Sequence, residues 1–310
     1  MKKMFVPKNK KGENEMKKMF VLPMVIMAVF MFFAGSGAVQ AQVPPDPDPW
    51  PMYAITYGKG VILTSPDSEI WTMRHSGTLV PLAAMAYGKE TFVAVGARGT
   101  IVTGTKDGSA WTIRQSGITN DIWAVKFAAG RFVAVGSEGT VITSPDGFAW
   151  TKRANLTPYA LRNIAFGKGN FVTIGEMGSI FNSPDGINWT KRVTQYTDHL
   201  FGLCYAKETF TAVGGNGRIM TSSDGVTWAE RYSGTTEYLS AVAYGEGKFV
   251  AVGAYGTIVT SPDSWNWTTT RSNSQSWLTA VVRAYRKFVV IGTDGTILTS
   301  PDGTNWSPKL

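Results

Sequence analysis

Cysteine and histidine are almost absent from this sequence of 310 residues, which contains one Cys and two His. A single Cys excludes an intramolecular disulfide framework and a zinc cluster built on cysteines. With only two His, we propose no Ser-His-Asp triad. In contrast, 44% of the residues are apolar and 12% are aromatic, which is enough to bury a core and excludes a disordered chain.

An amino-terminal targeting segment carries most of the positive charge. Residues 1–41 contain seven Lys and two Glu, an apolar run from Met19 to Ala34, and small residues before Ala41. This pattern predicts a secretory signal peptide that is cleaved after Ala41, and hence a secreted or extracytoplasmic protein without an integral membrane segment. An uncleaved anchor is the alternative, and the repetition of MKKMFV at 16–21 makes Met16 a second candidate start.

The rest of the chain is close to neutral. The whole sequence has a formal charge of +8, but residues 42–310 carry 23 Lys and Arg against 20 Asp and Glu. The remaining net charge of +3 is too small to indicate binding to nucleic acid, and we predict no such partner.

One motif recurs seven times between Tyr53 and Leu310, at a spacing of 39 residues and in one case 40. Its usual form is Ser-Pro-Asp-Gly-x-x-Trp, and it ends at Trp71, Trp111, Trp150, Trp189, Trp228, Trp267 and Trp306. Each full unit also has four short β-type stretches separated by Gly-rich turns, for example Leu239–Tyr244, Phe249–Val252, Thr257–Thr260 and Trp267–Thr270. Seven such units without capping repeats predict an all-β, seven-bladed β-propeller over residues 53–310.

Two units are irregular. The second has one extra residue near Gly104, which we expect a β-bulge to absorb. The first is too short, because residues 53–65 align either with a second and third strand or with a first strand followed by a deletion. We predict that the Pro-rich leader 42–52 completes this blade, although its prolines cannot donate backbone hydrogen bonds.

The repeated motif resembles the Asp-box, also called the bacterial neuraminidase repeat, in which a Ser or Thr precedes Asp, Gly and Trp. All seven units have the Asp, and Ser68 and Ser264 replace Gly in two of them; the box residues are Asp67, Asp107, Asp146, Asp185, Asp224, Asp263 and Asp302. The resemblance implies that the box lies on the hairpin between the third and fourth strands. Propellers with this box include sialidases, sortilin-type receptors, xyloglucanases and photosystem II assembly factors.

A structural role explains the repeated residues. An Asp in a tight turn accepts backbone N–H bonds, Gly supplies a positive φ, and Trp covers an apolar edge. Each box offers one carboxylate, whereas Ca²⁺ takes about six to eight oxygens, so we predict no metal site and no cofactor.

An Arg that follows most of the Trp residues is expected to cover the outer edge of its blade and to form salt bridges. Cys204 is expected to be a buried small residue.

Individual loop residues mark the candidate site. The lead-in loops before the first strands and the turns between second and third strands are expected to share one face. Exposed aromatic and polar side chains there suit sugar rings or peptide side chains. The predicted ligand-binding residues are Trp123, Tyr159, Arg162, Tyr196 and Phe201, which form the predicted contact cluster, together with Tyr238, Tyr255 and Trp277.

The sequence therefore predicts a monomeric, non-catalytic scaffold that binds a protein or glycan on this face. A glycoside hydrolase or sialidase-like enzyme is one alternative, with Asp121 and Asp198 as the candidate acid pair. The Arg-Ile-Pro start motif of sialidases is absent, and the constant repeat length leaves no loop long enough for a lid. An assembly factor of the photosystem II type is the other alternative.

Overall fold

The computed structural model of the protein describes residues 53–57, 60–65, 72–284 and 286–308. The predicted signal peptide (1–41), the leader (42–52), Asp67 and Trp71 lie outside these residues. The described chain forms seven antiparallel sheets, six with four strands and one with three. None of its helical segments has the length and apolar character needed to cross a bilayer.

Each sheet is one blade, and its strands are hydrogen-bonded in the order of the sequence. Blade 1 contains β1 (Tyr53–Tyr57), β2 (Val61–Ser65) and β3 (Thr72–His75). Blade 2 contains β4 (Leu82–Gly88), β5 (Thr91–Gly96), β6 (Ile101–Gly104) and β7 (Trp111–Arg114). Blade 3 contains β8 (Ile122–Ala128), β9 (Arg131–Gly136), β10 (Thr140–Ser144) and β11 (Thr151–Asn155). Blade 4 contains β12 (Leu161–Gly167), β13 (Asn170–Gly175), β14 (Ile180–Ser183) and β15 (Thr190–Arg192). Blade 5 contains β16 (Leu200–Ala206), β17 (Thr209–Gly214), β18 (Ile219–Ser222) and β19 (Ala229–Arg231). Blade 6 contains β20 (Leu239–Gly245), β21 (Lys248–Gly253), β22 (Thr257–Ser261) and β23 (Thr268–Arg271). Blade 7 contains β24 (Leu278–Ala284), β25 (Lys287–Gly292), β26 (Ile297–Ser300) and β27 (Ser307–Pro308).

The first strands of successive blades line the centre of the molecule. Strands β4, β8, β12, β16, β20 and β24 pack against one another in that order. The second and third strands are almost fully buried, whereas the fourth strands are largely exposed. This arrangement confirms the predicted all-β, seven-bladed propeller.

One aromatic pair recurs within most blades. A Phe near the start of the second strand is at most 1% exposed in every blade from the second onward: Phe92, Phe132, Phe171, Phe210, Phe249 and Phe288. In five of these blades the box Trp covers that Phe, with ring centroids 5.8–6.4 Å apart. A buried aromatic side chain contributes a large apolar area, so the repeated pair supplies much of the core.

The box turn is held by its own polar side chains. In blade 4, the backbone N–H groups of Ile187 and Asn188 both donate to Asp185 Oδ1 at 2.8 Å, and Ser183 Oγ donates to the same oxygen. The Nε1–H of Trp189 donates to the carbonyl oxygen of Gly186 at 3.1 Å. Burial opposes ionisation of Asp185, but these hydrogen bonds prevail and hold the pKa of its carboxyl well below the usual range. The same bonds from backbone N–H groups hold the boxes of Asp107, Asp146, Asp224, Asp263 and Asp302.

The first blade has three strands in the described part of the chain. Tyr53 pairs with Ser65 in β1 and β2, as Phe132 pairs with Ser144 in the second and third strands of blade 3. This register supports the first of the two alignments, in which residues 53–65 are a second and a third strand. The leader that we predict to complete the blade lies outside the described residues.

The prediction of a β-bulge at the extra residue of blade 2 is wrong. Gly104 pairs directly with Trp111, so the insertion lengthens the turn of the hairpin by one residue without a shift in register. A Cβ on Gly104 would lie 2.8 Å from the Trp111 ring, which explains why this position has no side chain. Register shifts occur instead between the first and second strands of all six four-stranded blades, and one more lies between β10 and β11 at Val141/Ile142.

The recurring Arg covers the outer edge but does not form the expected salt bridges. In blade 3, Arg153 Nε donates to Thr143 Oγ1 on the third strand at 2.8 Å. Corresponding bonds to a Thr or Asn side chain are made by Arg74, Arg114, Arg192 and Arg231, and within the described residues none of these arginines forms an ion pair. The side chain opposite each Arg is neutral, so the bond formed is not ionic.

Cys204, predicted to be buried, is half-buried beside the core between blades 5 and 6, where desolvation raises the pKa of its thiol to about 12. A thiol with this pKa stays protonated at neutral pH, which suits a packing role rather than a reactive one.

One interface between blades departs from the shared packing. A Cβ on the box residue Gly186 would lie 2.5 Å from Val133 of the preceding blade, and three other box glycines approach an equivalent valine in the same way. Between blades 5 and 6 the two positions are Thr211 and Ser264, both fully buried. Neither hydroxyl has a hydrogen-bond partner within the described residues, and Ser264 has a φ of 64°.

We expect the double substitution Thr211→Val/Ser264→Gly to raise the free energy of unfolding by about 1–2 kcal/mol. It replaces two buried, unsatisfied hydroxyls with the Val/Gly pair found at four other interfaces and relieves a left-handed backbone at a non-glycine residue. Urea unfolding followed by tryptophan fluorescence measures the change. A double variant less stable than the wild type would contradict this explanation of the interface.

Candidate functional site

Hydrogen bonds join the two sets of loops on one face. The residue just before each first strand accepts, through its carbonyl oxygen, a hydrogen bond from the turn between the second and third strands of the same blade. Examples are Ser137 N to Asp121 O at 2.8 Å and Ala254 N to Tyr238 O at 2.9 Å. The expectation that lead-in loops and turns share a face is therefore confirmed, and we call this surface the loop face.

The turns present one side chain each at the tip. The tip residues have φ between 52° and 55°, and they are Arg98, Glu138, Met177, Asn216, Tyr255 and Asp294. A left-handed backbone is unfavourable for most residues other than Gly, Asn and Asp, so at Arg98, Glu138, Met177 and Tyr255 the surrounding hydrogen bonds impose the turn conformation. The chemical variety of the tips gives each blade its own identity on an otherwise repeated frame.

The bulges decide which side chains reach the loop face from the first strands. Each register shift falls at the second residue of the first strand, between pairs such as Leu200/Gly202 and Leu239/Ala241. A bulge puts two residues opposite one and re-aims a side chain. The residues at these bulges are Ala83, Trp123, Arg162, Phe201, Ser240 and Thr279.

Trp123 and Arg162 meet between blades 3 and 4. The Arg162 guanidinium lies over the Trp123 ring at 4.9 Å from its centroid, and Trp123 Nε1 donates to Ser137 Oγ at 3.0 Å. Arg162 also forms an ion pair with Glu176, whose other oxygen accepts a hydrogen bond from Ala160 N at 3.3 Å. Burial alone would raise the pKa of Glu176, but the hydrogen bonds from Arg162 and Ala160 outweigh it and lower the pKa.

A row of aromatic rings continues across blades 5, 6 and 7. The centroids of His199 and Phe201 lie 6.2 Å apart, those of Phe201 and Tyr238 6.1 Å, and those of Tyr238 and Trp277 6.2 Å. Trp277 Nε1 donates to Ser240 Oγ at 2.7 Å.

Met177, the turn tip of blade 4, links the two groups. It directly follows Glu176, the ion-pair partner of Arg162, and its own N–H donates to His199 Nδ1 at 3.3 Å. We call the connected set the loop-face arc; its residues are Trp123, Arg162, His199, Phe201, Tyr238 and Trp277.

Three of the predicted site residues lie apart from the arc. Tyr196 sits beneath Arg218, whose guanidinium is 4.1 Å from the ring centroid, and donates its hydroxyl to Glu230 on the outermost strand of blade 5. Tyr159 is exposed, and its carbonyl oxygen accepts from Gly139 N at 2.7 Å. Tyr255 is a turn tip and is 70% exposed. The predicted five-residue cluster therefore has Trp123 and Arg162 in contact, Phe201 connected through His199, and Tyr159 and Tyr196 elsewhere on the surface.

His199, Ser240 and Glu176 belong to the site but were not among the predicted residues. The sequence contains a signal for His199, because His199, Tyr238 and Trp277 occupy the same repeat position in three consecutive units. Ser240 occupies the repeat position of Trp123, Arg162 and Phe201. No signal pointed to Glu176, because its role depends on its contact with Arg162 at the bulge of the same blade.

Two aspartates of the loop face, Asp121 and Asp198, hold turns in place. Asp121 Oδ1 accepts from Arg98 N at 2.8 Å, and Asp198 accepts from Asn216 Nδ2 at 2.6 Å and Arg218 Nε at 2.9 Å. The hydrolase alternative assigned an acid pair to Asp121 and Asp198, which stabilise turns in different blades. Among the described side chains, no group of three or more His, Cys, Asp or Glu could hold a metal ion.

Comparison with known proteins gives a likeness of fold. The sequence matches no protein-family model and no protein of curated function. The structure resembles "YCF48 bound to D1 peptide", with a TM-score of 0.61 and 20% identity over 88% of this chain and 87% of that one. It also resembles YCF48 from Cyanidioschyzon merolae, with a TM-score of 0.66 and 14% identity over 86% and 96%.

The computationally designed Ika8 protein is similar as well, with a TM-score of 0.64 and 14% identity over 90% of this chain and 88% of that one. At such identities the similarity concerns the fold alone. The chain therefore has a seven-bladed propeller fold similar to that of YCF48, with an arc of aromatic side chains on its loop face.

Proposed function

We propose that this chain is a non-catalytic binding protein that recognises a polypeptide partner through the loop-face arc. The observation that carries the proposal is the row His199, Phe201, Tyr238 and Trp277, in which Tyr238 and Trp277 are 41% and 42% exposed. Rigid aromatic side chains supply contact area at low entropic cost and are enriched where proteins bind proteins. The bulges and turn hydrogen bonds hold these rings in place before a partner arrives, which lowers the cost of binding.

The likeness to YCF48 supports a peptide ligand. A structure with the same fold is described as bound to a D1 peptide. A photosystem II assembly-type factor is therefore the second candidate, and a D1 peptide is its natural probe. A glycan ligand would also suit exposed rings, so the experiment must separate the two classes.

The test compares two tryptophans on opposite faces. Trp277 lies on the loop face, whereas Trp265 is 56% exposed on a box hairpin at the other end of the blades. Purified mature protein is screened against a peptide library, a D1 peptide and a glycan array. We expect peptide binding that weakens roughly tenfold in Trp277→Ala and is unchanged in Trp265→Ala.

Equal binding by the wild type and Trp277→Ala would exclude the arc as the contact surface. Binding to glycans without binding to peptides would replace the polypeptide partner with a carbohydrate. Turnover of an aryl glycoside that is abolished by Asp121→Asn or Asp198→Asn would favour the hydrolase alternative instead.

We further propose that the box motif places the chain in the Asp-box superfamily and that the mature protein is extracytoplasmic, released by cleavage after Ala41. The charged start, apolar run and small residues of 1–41 support the second proposal. Amino-terminal sequencing of protein exported by a bacterial host should yield Gln42 as the first residue. Retention of residues 1–41 in the membrane fraction would contradict it.

A further inference from the structure

The aromatic rings of the loop face fall into two groups that differ in their contacts with cations. In blades 3 to 5 the chain supplies its own guanidinium: Arg162 over Trp123 at 4.9 Å and Arg218 over Tyr196 at 4.1 Å. In the described structure, no cation covers Tyr238, Tyr255 or Trp277 of blades 6 and 7. These three rings are 41%, 70% and 42% exposed.

The loops that carry the uncovered rings contain charges of one sign only. The four loops of blades 6 and 7 on this face, residues 232–238, 253–256, 272–277 and 292–296, contain Glu237 and Asp294 and no Lys or Arg. Asp294 is an exposed turn tip, and neither carboxylate forms an ion pair within the described residues. The loops therefore combine free negative charge with open aromatic faces.

Hydrogen bonds and sequence adjacency place the backbone of both acidic residues next to residues that carry the rings. Trp277 N donates to Thr293 Oγ1 at 3.2 Å, and Thr293 N donates to Trp277 O at 2.8 Å, so Asp294 follows a residue bound to Trp277 at two points. Glu237 directly precedes Tyr238, whose carbonyl oxygen accepts from Ala254 N. We call Glu237, Tyr238, Tyr255, Trp277 and Asp294 the acidic–aromatic sector.

We propose that the acidic–aromatic sector binds an arginine side chain of the partner polypeptide. This inference rests on the proposed function and specifies its ligand. The negative face of an aromatic ring attracts a cation, and arginine adds stacking and hydrogen bonding to a carboxylate. The partner's guanidinium takes at Tyr238 and Trp277 the place that Arg162 and Arg218 take over the rings of the neighbouring blades. Acidic or purely apolar peptide segments lack a positive charge, which is what both the rings and the carboxylates attract.

Fluorescence anisotropy with short labelled peptides tests the charge. A peptide selected from the library is compared with copies in which its arginines become lysine, norleucine or glutamate. We expect the norleucine copy to bind roughly tenfold more weakly, the lysine copy to lie between the two, and the glutamate copy not to bind. Added salt should weaken the arginine peptide more than the norleucine copy.

Three variants assign the effect to the sector. Trp277→Ala should reduce the preference for arginine over norleucine, and Trp277→Phe should restore most of it. Asp294→Asn should lower both affinity and salt dependence. Trp265→Ala is the control, because Trp265 is exposed on the opposite face and is already covered by Arg231 at 3.7 Å.

The outcomes separate this inference from the proposed function. Equal binding of the arginine and norleucine copies, with both weakened by Trp277→Ala, would overturn the inference and leave the arc as a peptide site. Tighter binding of the glutamate copy would overturn it as well. If no library peptide binds the wild type, the proposed function and the inference both fail.

Discussion

Gly253→Ala is expected to lower the free energy of unfolding by about 3–5 kcal/mol, in the range of severe steric substitutions. A Cβ at Gly253 would lie 1.7 Å from the carbonyl oxygen of Tyr238 and 2.7 Å from its carbonyl carbon. Both contacts are with backbone atoms, so no side chain can move away. The clash can be relieved only if the end of β21 separates from the start of β20, which breaks the hydrogen bond from Ala254 to Tyr238.

This substitution should also weaken ligand binding, because Tyr238 belongs to the loop-face arc. Gly247→Ala is the matched control in the same blade: Gly247 has a φ of +77°, but a Cβ there would meet no atom within 4 Å. Its cost should be about 1 kcal/mol, from the left-handed backbone alone. Guanidinium unfolding of both variants measures the difference. If the two lost equal stability, the close approach of the turn to the lead-in loop would not be what holds the loop face together.

Lys126→Met is expected to raise the free energy of unfolding by about 2 kcal/mol at neutral pH. Lys126 lies on β8, at a position where other first strands have Ala86, Ala165 and Ala243. Burial lowers the pKa of its ammonium group from the ordinary 10.5 to about 8, and within the described residues it forms no ion pair. The Lys126 side chain keeps some contact with solvent, so the expected gain in unfolding free energy is smaller than the full pKa shift implies.

The pH dependence distinguishes this explanation from a simple packing effect. Between about pH 8 and 10.5 the unfolded chain binds more protons at Lys126 than the folded chain, so wild-type stability rises with pH across this window. Below the window the folded protein bears the whole cost of the buried charge. Lys126→Met should therefore be more stable than the wild type at pH 7, with the difference shrinking towards pH 10.5.

The matched control is Lys152→Met on the exposed outer strand of the same blade, which should change stability little at any pH. Urea unfolding at a series of pH values provides the measurement. A gain in Lys126→Met that stays constant with pH would show that packing, and not the buried charge, is responsible.

The repeat carried most of the information about the fold. The stretches Phe249–Val252 and Thr257–Thr260 were predicted from β-branched residues between Gly-rich turns, and the observed strands are Lys248–Gly253 and Thr257–Ser261. A motif that returns every 39 residues predicts its own hairpin, and the six four-stranded blades repeat the same local structure. The shared face of the two loop sets also follows from the alternating direction of antiparallel strands.

Only some of the residues that form the site could be predicted from the sequence. Trp123, Arg162 and Phe201 were selected because they vary at one repeat position, and that position is the bulge in each first strand. The bulge itself was predicted elsewhere, at Gly104, because a register shift depends on how two strands and their turn fit together. Tyr196 belongs to the predicted contact cluster, but in the structure its hydroxyl donates to Glu230 on the outermost strand of blade 5.

The sequence by itself determined the number of blades, the position of each box and the separation of framework residues from variable loop residues, because these depend on spacing and local turn chemistry. Only the tertiary structure decided which loop residues meet. His199, Phe201, Tyr238 and Trp277 come from three blades, and no local property of the chain places their rings in one row. The radial packing of the blades brings them together, and the six bulges turn the side chains of the first strands towards them.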